Sequence, residues 1–268
     1  MTNKNPIIDI QDLVTYYGNR KVLDGINLQI KAGETMTILG RSGCGKSTLL
    51  RHVIGLSKPS SGNIIINGQD VTNLSEEDML PFRRKTGMLF QGSALFNSMT
   101  VGDNVALPLR EHTKLEEPTI KIMTRMKLDQ VGLAGFEDFM PAQLSGGMKK
   151  RAALARAIAM DPEILFCDEP SAGLDPIVAI GIDHLIMKLK KAFQMTIVIV
   201  THEMESVNLI SDRVALLDSG RIIALGTVDE LRENDNPKIQ QFFNRIPDPE
   251  EIDKESYLKS LIGEDIEN

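Results

Sequence analysis

A glycine-rich stretch from Gly40 to Thr48 has the residue types and the spacing that bind phosphate groups. It reads Gly40-Arg41-Ser42-Gly43-Cys44-Gly45-Lys46-Ser47-Thr48, between an apolar run and a helical pattern. Glycines let successive backbone N–H groups point at one anion, and the helix that follows adds the positive end of its dipole. Lys46 offers a charge to the β- and γ-phosphates, and the Ser47 hydroxyl offers a ligand to Mg²⁺. The stretch therefore predicts a site for ATP with Mg²⁺; the alternative is a glycine-rich turn before an ordinary helix.

Two acidic residues, Asp168 and Glu169, follow the apolar run Ile164 to Cys167, which is typical of a buried strand. Ligands of an open α/β sheet bind at the carboxyl ends of its strands, so both carboxylates are expected beside the glycine-rich stretch. There Asp168 can hold Mg²⁺ through water, and Glu169 can polarise an attacking water. The alternative is a turn with two solvated acids, which the apolar strand and Pro170 disfavour.

Gln91 and His202 also stand where predicted strands end. The amide oxygen of Gln91 is a candidate Mg²⁺ ligand, and the loop that begins there is a candidate sensor of the γ-phosphate. His202 is a candidate donor to the γ-phosphate, although a lone histidine is more often structural than catalytic.

A second candidate anion site is formed by Ser145, Gly146 and Gly147, which precede a run of strong helix formers. Bare backbone N–H groups and a helix dipole would bind the anion. We expect this site to lie too far from Lys46 to serve the same chain. A two-fold dimer would place it over the nucleotide of the other copy, so that two ATP molecules are sandwiched at the interface.

Strands and helices alternate along the chain, which predicts an α/β fold with a mostly parallel sheet. Residues 7–17 and 22–30 are predicted as two strands around a turn. From about 92 to 158 helical periodicity dominates, so we expect an inserted helical subdomain that Pro108 and Pro118 break into pieces.

Composition excludes several classes of protein. The 268 residues are 42% hydrophobic and contain no apolar run that would cross a bilayer. The first residues lack the apolar core of a signal peptide, and two cysteines cannot make a disulfide framework, so a reducing cytosolic location is expected. The net charge of −7 shows no basic excess, so no nucleic-acid partner is expected.

Together these residues resemble the ATPase subunit of ABC transporters over about residues 7–243. The resemblance implies a P-loop NTPase fold with an antiparallel β subdomain, an ATPase domain over residues 1–245, and a head-to-tail homodimer that hydrolyses ATP. It implies that Tyr17, or Tyr16 in its place, stacks on the base, and that Gln91 begins the Q-loop.

The resemblance also assigns roles to residues of the second half of the chain. The signature spans Leu144 to Met148, and Met148 departs from the family pattern, which has glutamine there. Asp175 would contact the nucleotide from the D-loop, and Asp168 would associate with Mg²⁺. The catalytic residues would be Lys46, Glu169 and His202.

A narrower resemblance rests on the segments Gly92 to Val101, Asp103 to Ala106 and Pro108 to His112, together with the Leu-Ser-Gly-Gly-Met signature. These segments are similar to the ATPases of Mla/Mce-type lipid transport systems. That resemblance implies phospholipid transport between inner and outer membranes and a location on the cytoplasmic face of the inner membrane. The implied partners are integral membrane permease subunits, a small STAS-domain subunit and a periplasmic-side MCE protein. The alternatives are an importer ATPase for amino acids or other small solutes, and a non-transport ABC ATPase.

Two further expectations concern Cys44 and the C-terminus. Cys44 stands beside Lys46 and a helix N-terminus, which favours the thiolate and predicts inactivation by alkylation; the alternative is an inert small residue. Residues 246–268 are predicted to be an acidic extension, with eight acidic residues and two lysines after Ile246. Its apolar stripe, Tyr257, Leu258, Leu261 and Ile262, has helical spacing and predicts docking on the neighbouring ATPase or on a small partner, with a solvated end as the alternative.

Overall fold

The structure, a computed structural model, describes residues 6–244 and 246. They divide into two compact units, one ending at Leu231 and one beginning at Arg232. The predicted acidic extension and its apolar stripe lie outside the described residues apart from Ile246. The domain boundary expected near residue 245 stays a prediction.

The strands of the described chain form two sheets. They are β1 (Ile8–Tyr17), β2 (Arg20–Ile30), β3 (Thr35–Leu39), β4 (Ser61–Ile66), β5 (Gln69–Asp70), β6 (Thr86–Leu89), β7 (Ile164–Asp168), β8 (Thr196–Thr201), β9 (Arg213–Asp218) and β10 (Arg221–Gly226). The larger sheet has the order β10-β9-β3-β8-β7-β6, and every neighbouring pair is parallel except β10 with β9. The smaller sheet, β2-β1-β4-β5, is antiparallel. The predicted mostly parallel sheet and the implied antiparallel one are both confirmed.

Helices lie between several of these strands and after the last one. They are α1 (Lys46–Val53), α2 (Glu76–Arg84), α3 (Val101–His112), α4 (Glu117–Gln130), α5 (Gly146–Ala157), α6 (Pro176–Phe193), α7 (Met204–Ile210), α8 (Val228–Arg232) and α9 (Pro237–Phe243), with a 3₁₀ turn at Pro141–Gln143. Between β6 and β7 the chain forms only α3, α4, the 3₁₀ turn, α5 and loops. None of the helices of residues 6–244 is both long and apolar enough to span a bilayer.

The prediction that Pro108 breaks a helix is wrong, because Pro108 lies inside α3. Pro118, in contrast, stands in the first turn of α4. A proline inside a helix costs about 3 kcal/mol. Burial of Val101, Val105 and Leu109 in the core offsets that cost, at about 1.5–3 kcal/mol for each side chain.

The parallel sheet has a hydrophobic cluster on each face, and alternate residues of its central strands point to opposite clusters. Leu165 of β7 and Ile199 of β8 pack with the helical segment and α6. Phe166 and Val198 pack with α1 and the antiparallel sheet. Burial on both faces explains why these strands are continuously apolar instead of alternating.

The second unit contains α9. The side chain of Asn236 caps this helix by accepting the N–H of Lys238 at 3.0 Å. The Gln240 amide donates to the carbonyls of Arg232 and Asn234, which holds the chain before the helix.

Candidate active site

The glycine-rich stretch joins the buried strand β3 to α1. Gly45 takes a φ of 111°, which suits glycine and lets α1 begin directly after it. Gly40 has no room for a side chain, because a Cβ there would lie 2.4 Å from the carbonyl oxygen of Leu217. The buried ammonium group of Lys46 donates to the carbonyls of Gly40 at 2.8 Å and Arg41 at 3.1 Å. The positive charge of Lys46 therefore lies inside the loop that the glycine-rich stretch forms.

The strand ends bring the predicted acidic residues to this loop. The Ser47 hydroxyl donates to Oδ1 of Asp168 at 3.4 Å, and Lys46 Nζ lies 3.9 Å from Oε1 of Glu169. The expectation that both carboxylates arrive beside the glycine-rich stretch is confirmed, for the reason given by the parallel topology.

A cavity of about 250 Å³ opens where these segments meet. Five separate stretches of the chain contribute to it: its lining consists of Val22, Ser42, Gly43, Gly45, Lys46, Ser47, Thr48, Gln91, Glu169 and His202. A concave site with convergent polar groups from several strand ends is the usual form of a small-molecule site in an α/β protein.

Glu169 is held in a single orientation. Its φ of +47° is strained for a residue other than glycine, and its N–H donates to the carbonyl of Val200 at 2.9 Å. The carboxylate is buried and accepts the Thr201 hydroxyl at 3.0 Å, and its other oxygen lies 2.8 Å from Nδ1 of His202. Backbone strain persists where surrounding contacts over-determine it, so Glu169 is preorganised.

The contact with Glu169 decides which nitrogen of His202 carries the proton. An ionised carboxylate only accepts hydrogen bonds, so Nδ1 must be the donor. A neutral His202 then presents an unprotonated Nε2, which can donate to a phosphate only after taking up a second proton. The side chain of His202 is 55% exposed and lines the cavity.

Burial raises the pKa of Asp168, and the neighbouring Glu169 carboxylate raises it further, while Ser47, Arg51 and Lys46 act in the opposite direction. A cation beside Asp168 would favour its charged form. The oxygens of Asp168 and Ser47 are the ligand type that Mg²⁺ prefers. Within residues 6–244 no group of three or more His, Cys, Asp or Glu side chains is arranged to hold a metal ion.

The nucleotide contacts predicted at the signature, the D-loop and Tyr17 lie outside the cavity lining. Ser145 is exposed at the N-cap of α5, with Gly146 and Gly147 in the first turn of that helix. Asp175 is exposed and caps α6 by accepting the N–H of Val178 at 3.0 Å. The side chain of Tyr17 is 52% exposed, so its ring is free to meet a base. The roles of these residues stay predictions.

The expectation that Cys44 favours the thiolate is wrong. Burial raises the pKa of its thiol, and the nearby Lys46 charge lowers it by less. Cys44 is only 7% exposed, and its carbonyl accepts the N–H of Gly220, so the turn between β9 and β10 covers the loop. The sequence shows Lys46 and the helix N-terminus beside Cys44, but it does not show that Gly220, far away in the chain, lies over the loop.

Two residues that touch Glu169 were not singled out from the sequence. Thr201 donates to the Glu169 carboxylate, and Lys150 donates to the carbonyls of Gln91 at 2.7 Å and Glu169 at 3.0 Å. The available signals were that Thr201 precedes His202 and that Lys150 lies in a basic run after the signature.

The family profile described as ABC transporter matches residues 23–172. The chain belongs to the ABC transporter family. As a member, it is an ATP-binding and ATP-hydrolysing subunit, and the predicted α/β P-loop fold is confirmed.

Curated relatives cover most of the chain. The intermembrane phospholipid transport system ATP-binding protein MlaF of Haemophilus influenzae is 42% identical over 240 residues, 90% of each chain. MlaF of Escherichia coli is 41% identical over 242 residues, again 90% of each chain. A protein of Mycobacterium tuberculosis named probable ribonucleotide transport ATP-binding protein mkl is 41% identical over 237 residues, 88% of this chain and 66% of its own length.

Solved structures give the same family. The dimeric bacterial ABC transporter cassette MJ0796 has a TM-score of 0.77 and 31% identity, covering 82% of this chain and 98% of the cassette. The same cassette in a post-hydrolysis state with ADP and Pi has a TM-score of 0.76 and 30% identity over the same shares. CbiO1 of Clostridium perfringens has a TM-score of 0.79 and 32% identity, covering 96% of this chain and all of that one.

Proposed function

We propose that this chain energises the transport of phospholipid between inner and outer membranes by hydrolysing ATP below a membrane permease. The observation that carries the ATP site is the cavity in which Lys46, Ser47, Gln91, Glu169 and His202 meet. The lipid cargo is supported by the two MlaF relatives, which match over nine tenths of both chains.

In the proposed site Lys46 neutralises the β- and γ-phosphates, while Ser47, Asp168 and Gln91 hold Mg²⁺. The ion would supply charge neutralisation when bound. Glu169 orients the attacking water, since its carboxylate is fixed by Thr201 and His202 at 3.0 and 2.8 Å. His202, once doubly protonated, donates to the γ-phosphate from Nε2. Tyr17 stacks on the base.

A head-to-tail homodimer completes the site. Ser145 and Gly146 are exposed at the N-terminus of α5, Gly147 is buried behind them, and Asp175 lies exposed at the N-terminus of α6. In the dimer these groups contact the nucleotide of the partner subunit. The dimeric cassette among the related structures supports this arrangement.

The permease is proposed to bind the loop that follows Gln91. A groove of about 410 Å³ there is lined by residues that include Phe90, Phe96 and His112. Phe96 is 50% exposed, and the buried Asn104 amide holds its backbone by accepting from Phe96 N at 2.7 Å and donating to Phe96 O at 3.1 Å. A rigidly held, exposed aromatic suits a protein contact. This contact would place the chain on the cytoplasmic face of the inner membrane, with a small STAS-domain subunit and an MCE protein as further partners.

A second candidate cargo is a ribonucleotide, favoured by the mycobacterial relative at 41% identity. The chain spans 66% of that relative, against 90% of the MlaF proteins, so phospholipid is the better supported cargo.

Purification of the tagged chain from detergent-solubilised membranes tests the proposal. We expect a permease with bound phospholipid, identified by mass spectrometry. Phe96→Asp should lose the permease, while Leu56→Asp, a control at a site that is 56% exposed, should keep it. A permease that carries ribonucleotide would favour the second candidate, and the absence of any membrane protein would contradict both.

A further inference from the structure

Lys150 occupies a position that joins two parts of the site. Only 4% of it is exposed, and its ammonium group donates to the backbone carbonyls of Gln91 and Glu169. Those carbonyls belong to segments 78 positions apart in the sequence, one leading into the Q-loop and one leaving β7. A single buried cation therefore fixes the backbone of both residues beside the cavity.

Helix α5 carries this lysine, and the N-terminal residues of the helix are not part of the cavity lining. The N-cap of α5 is Ser145, which accepts the N–H of Met148 at 3.3 Å. Lys150 lies five residues further on, about 7.5 Å along the helix axis. Further along, Arg156 donates to the carbonyls of Ser93 and Ala94, which belong to the same loop as Gln91. Helix α5 therefore forms hydrogen bonds with this loop at two positions, Lys150 and Arg156.

The hydrogen bond from Lys150 stabilises an unfavourable backbone conformation at Glu169. Its positive φ is unfavourable, and its carbonyl is held by Lys150 while its N–H is held by β8. The buried charge is also costly, since burial lowers the pKa of Lys150, with Asp168, Glu169 and Glu203 acting in the opposite direction. If packing were the only role of this position, a neutral side chain would fill it without the free-energy cost of burying a charge.

We propose that Lys150 is a positioning residue that couples the two nucleotide sites of the dimer. The N-terminus of α5 contacts the nucleotide of the partner subunit, and Lys150 transmits the position of that helix to Gln91 and Glu169 of its own site. Because hydrogen bonds to a charged donor are strong and directional, a displacement of α5 moves both carbonyls together. The inference rests on the sandwiched dimer proposed above.

Steady-state hydrolysis by the full chain tests the proposal, with Lys150→Met as the variant and Lys149→Met as the matched control. We expect Lys150→Met to lower kcat about 10-fold, the equivalent of one charge-assisted hydrogen bond. Its affinity for a fluorescent ATP analogue and its melting temperature should stay near wild type, and its Hill coefficient for ATP should fall towards one. Lys149→Met should keep the wild-type kcat and Hill coefficient.

A second variant, Lys150→Gln, retains neutral N–H donors without the charge and should give an intermediate kcat. Unchanged kcat and Hill coefficient in Lys150→Met would overturn the inference. Loss of folding in both variants would also overturn it, and so would a parallel fall in ATP affinity and kcat. Either result would indicate that Lys150 only supports the fold. A wild-type chain that hydrolyses ATP without dimerising would overturn the proposed dimer instead, and coupling through Lys150 with it.

Discussion

The ammonium nitrogen of Lys46 lies 3.9 Å from a carboxylate oxygen of Glu169, and both side chains are buried. The two groups nevertheless have different hydrogen-bond partners. Lys46 is bound by carbonyls of its own loop, whereas Glu169 is bound by Thr201 and His202 at the end of β8. Removing one should therefore leave the other in place, which makes their roles separable.

Glu169→Gln should lower the turnover of ATP by ~10² or more, because an amide cannot polarise water as a carboxylate does. The variant retains an oxygen for the Thr201 hydroxyl, so ATP binding should persist and ATP-bound dimers should accumulate in size-exclusion chromatography. Lys46→Ala should instead weaken ATP binding. The exposed Glu111→Gln serves as the matched control. Normal turnover in Glu169→Gln would show that Glu169 is not the residue that orients water.

Asp183, on α6, should make the stability of the chain depend on pH. It is 1% exposed, Oδ2 accepts the Ser206 hydroxyl at 2.6 Å, and Oδ1 has no partner among the described residues. Burial raises its pKa to about 6 from an ordinary 3.8. The folded chain then holds this proton more tightly than the unfolded chain, so stability is lost as pH rises between these values, by about 3 kcal/mol in total.

Asp183→Asn removes this charge. We expect its free energy of unfolding in urea to exceed that of wild type at about pH 8 and to converge with it near pH 4. The exposed Asp129→Asn, which makes the same change of charge, should show no such convergence. A constant difference between Asp183→Asn and wild type across this range would contradict the prediction.

His52, on α1, should have the opposite effect. It is 3% exposed, its Nε2 lies 2.8 Å from the Thr15 hydroxyl and its Nδ1 lies 2.9 Å from the carbonyl of Ser57. Burial lowers its pKa below 6.5, so the folded chain binds a proton less readily than the unfolded one. Its contribution to stability is present above about pH 6.5 and is lost as pH falls below that value. Unfolding of His52→Gln should depend less on pH in this interval, whereas the exposed His112→Gln should match wild type.

Alkylation of Cys44 by iodoacetamide should be slow at neutral pH, because its thiol is buried and its pKa is raised. The rate should increase as the pH is raised, and ATP should reduce it, since the loop that holds Cys44 lines the proposed nucleotide site. Cys44→Ser leaves Cys167 as a control, which burial also keeps in the thiol form. Rapid labelling at neutral pH, or equal labelling with and without ATP, would contradict this prediction.

The features that depend on short spacings can be predicted from the sequence. The glycine-rich stretch, the acids at the end of β7 and the strand–helix alternation all follow from neighbouring residues, since backbone conformation and strand polarity are local properties. These features are sufficient to predict that Lys46, Ser47, Asp168 and Glu169 lie at one edge of the sheet.

Contacts between residues that are distant in the sequence are visible only in the tertiary structure. Lys150 meets Gln91 across 59 positions, Thr201 meets Glu169 across 32, and Cys44 is covered by Gly220. Pro108 remains inside a helix because the faces around it are buried. In each case the deciding term is burial or a long-range hydrogen bond, and neither is encoded in the residues adjacent in sequence.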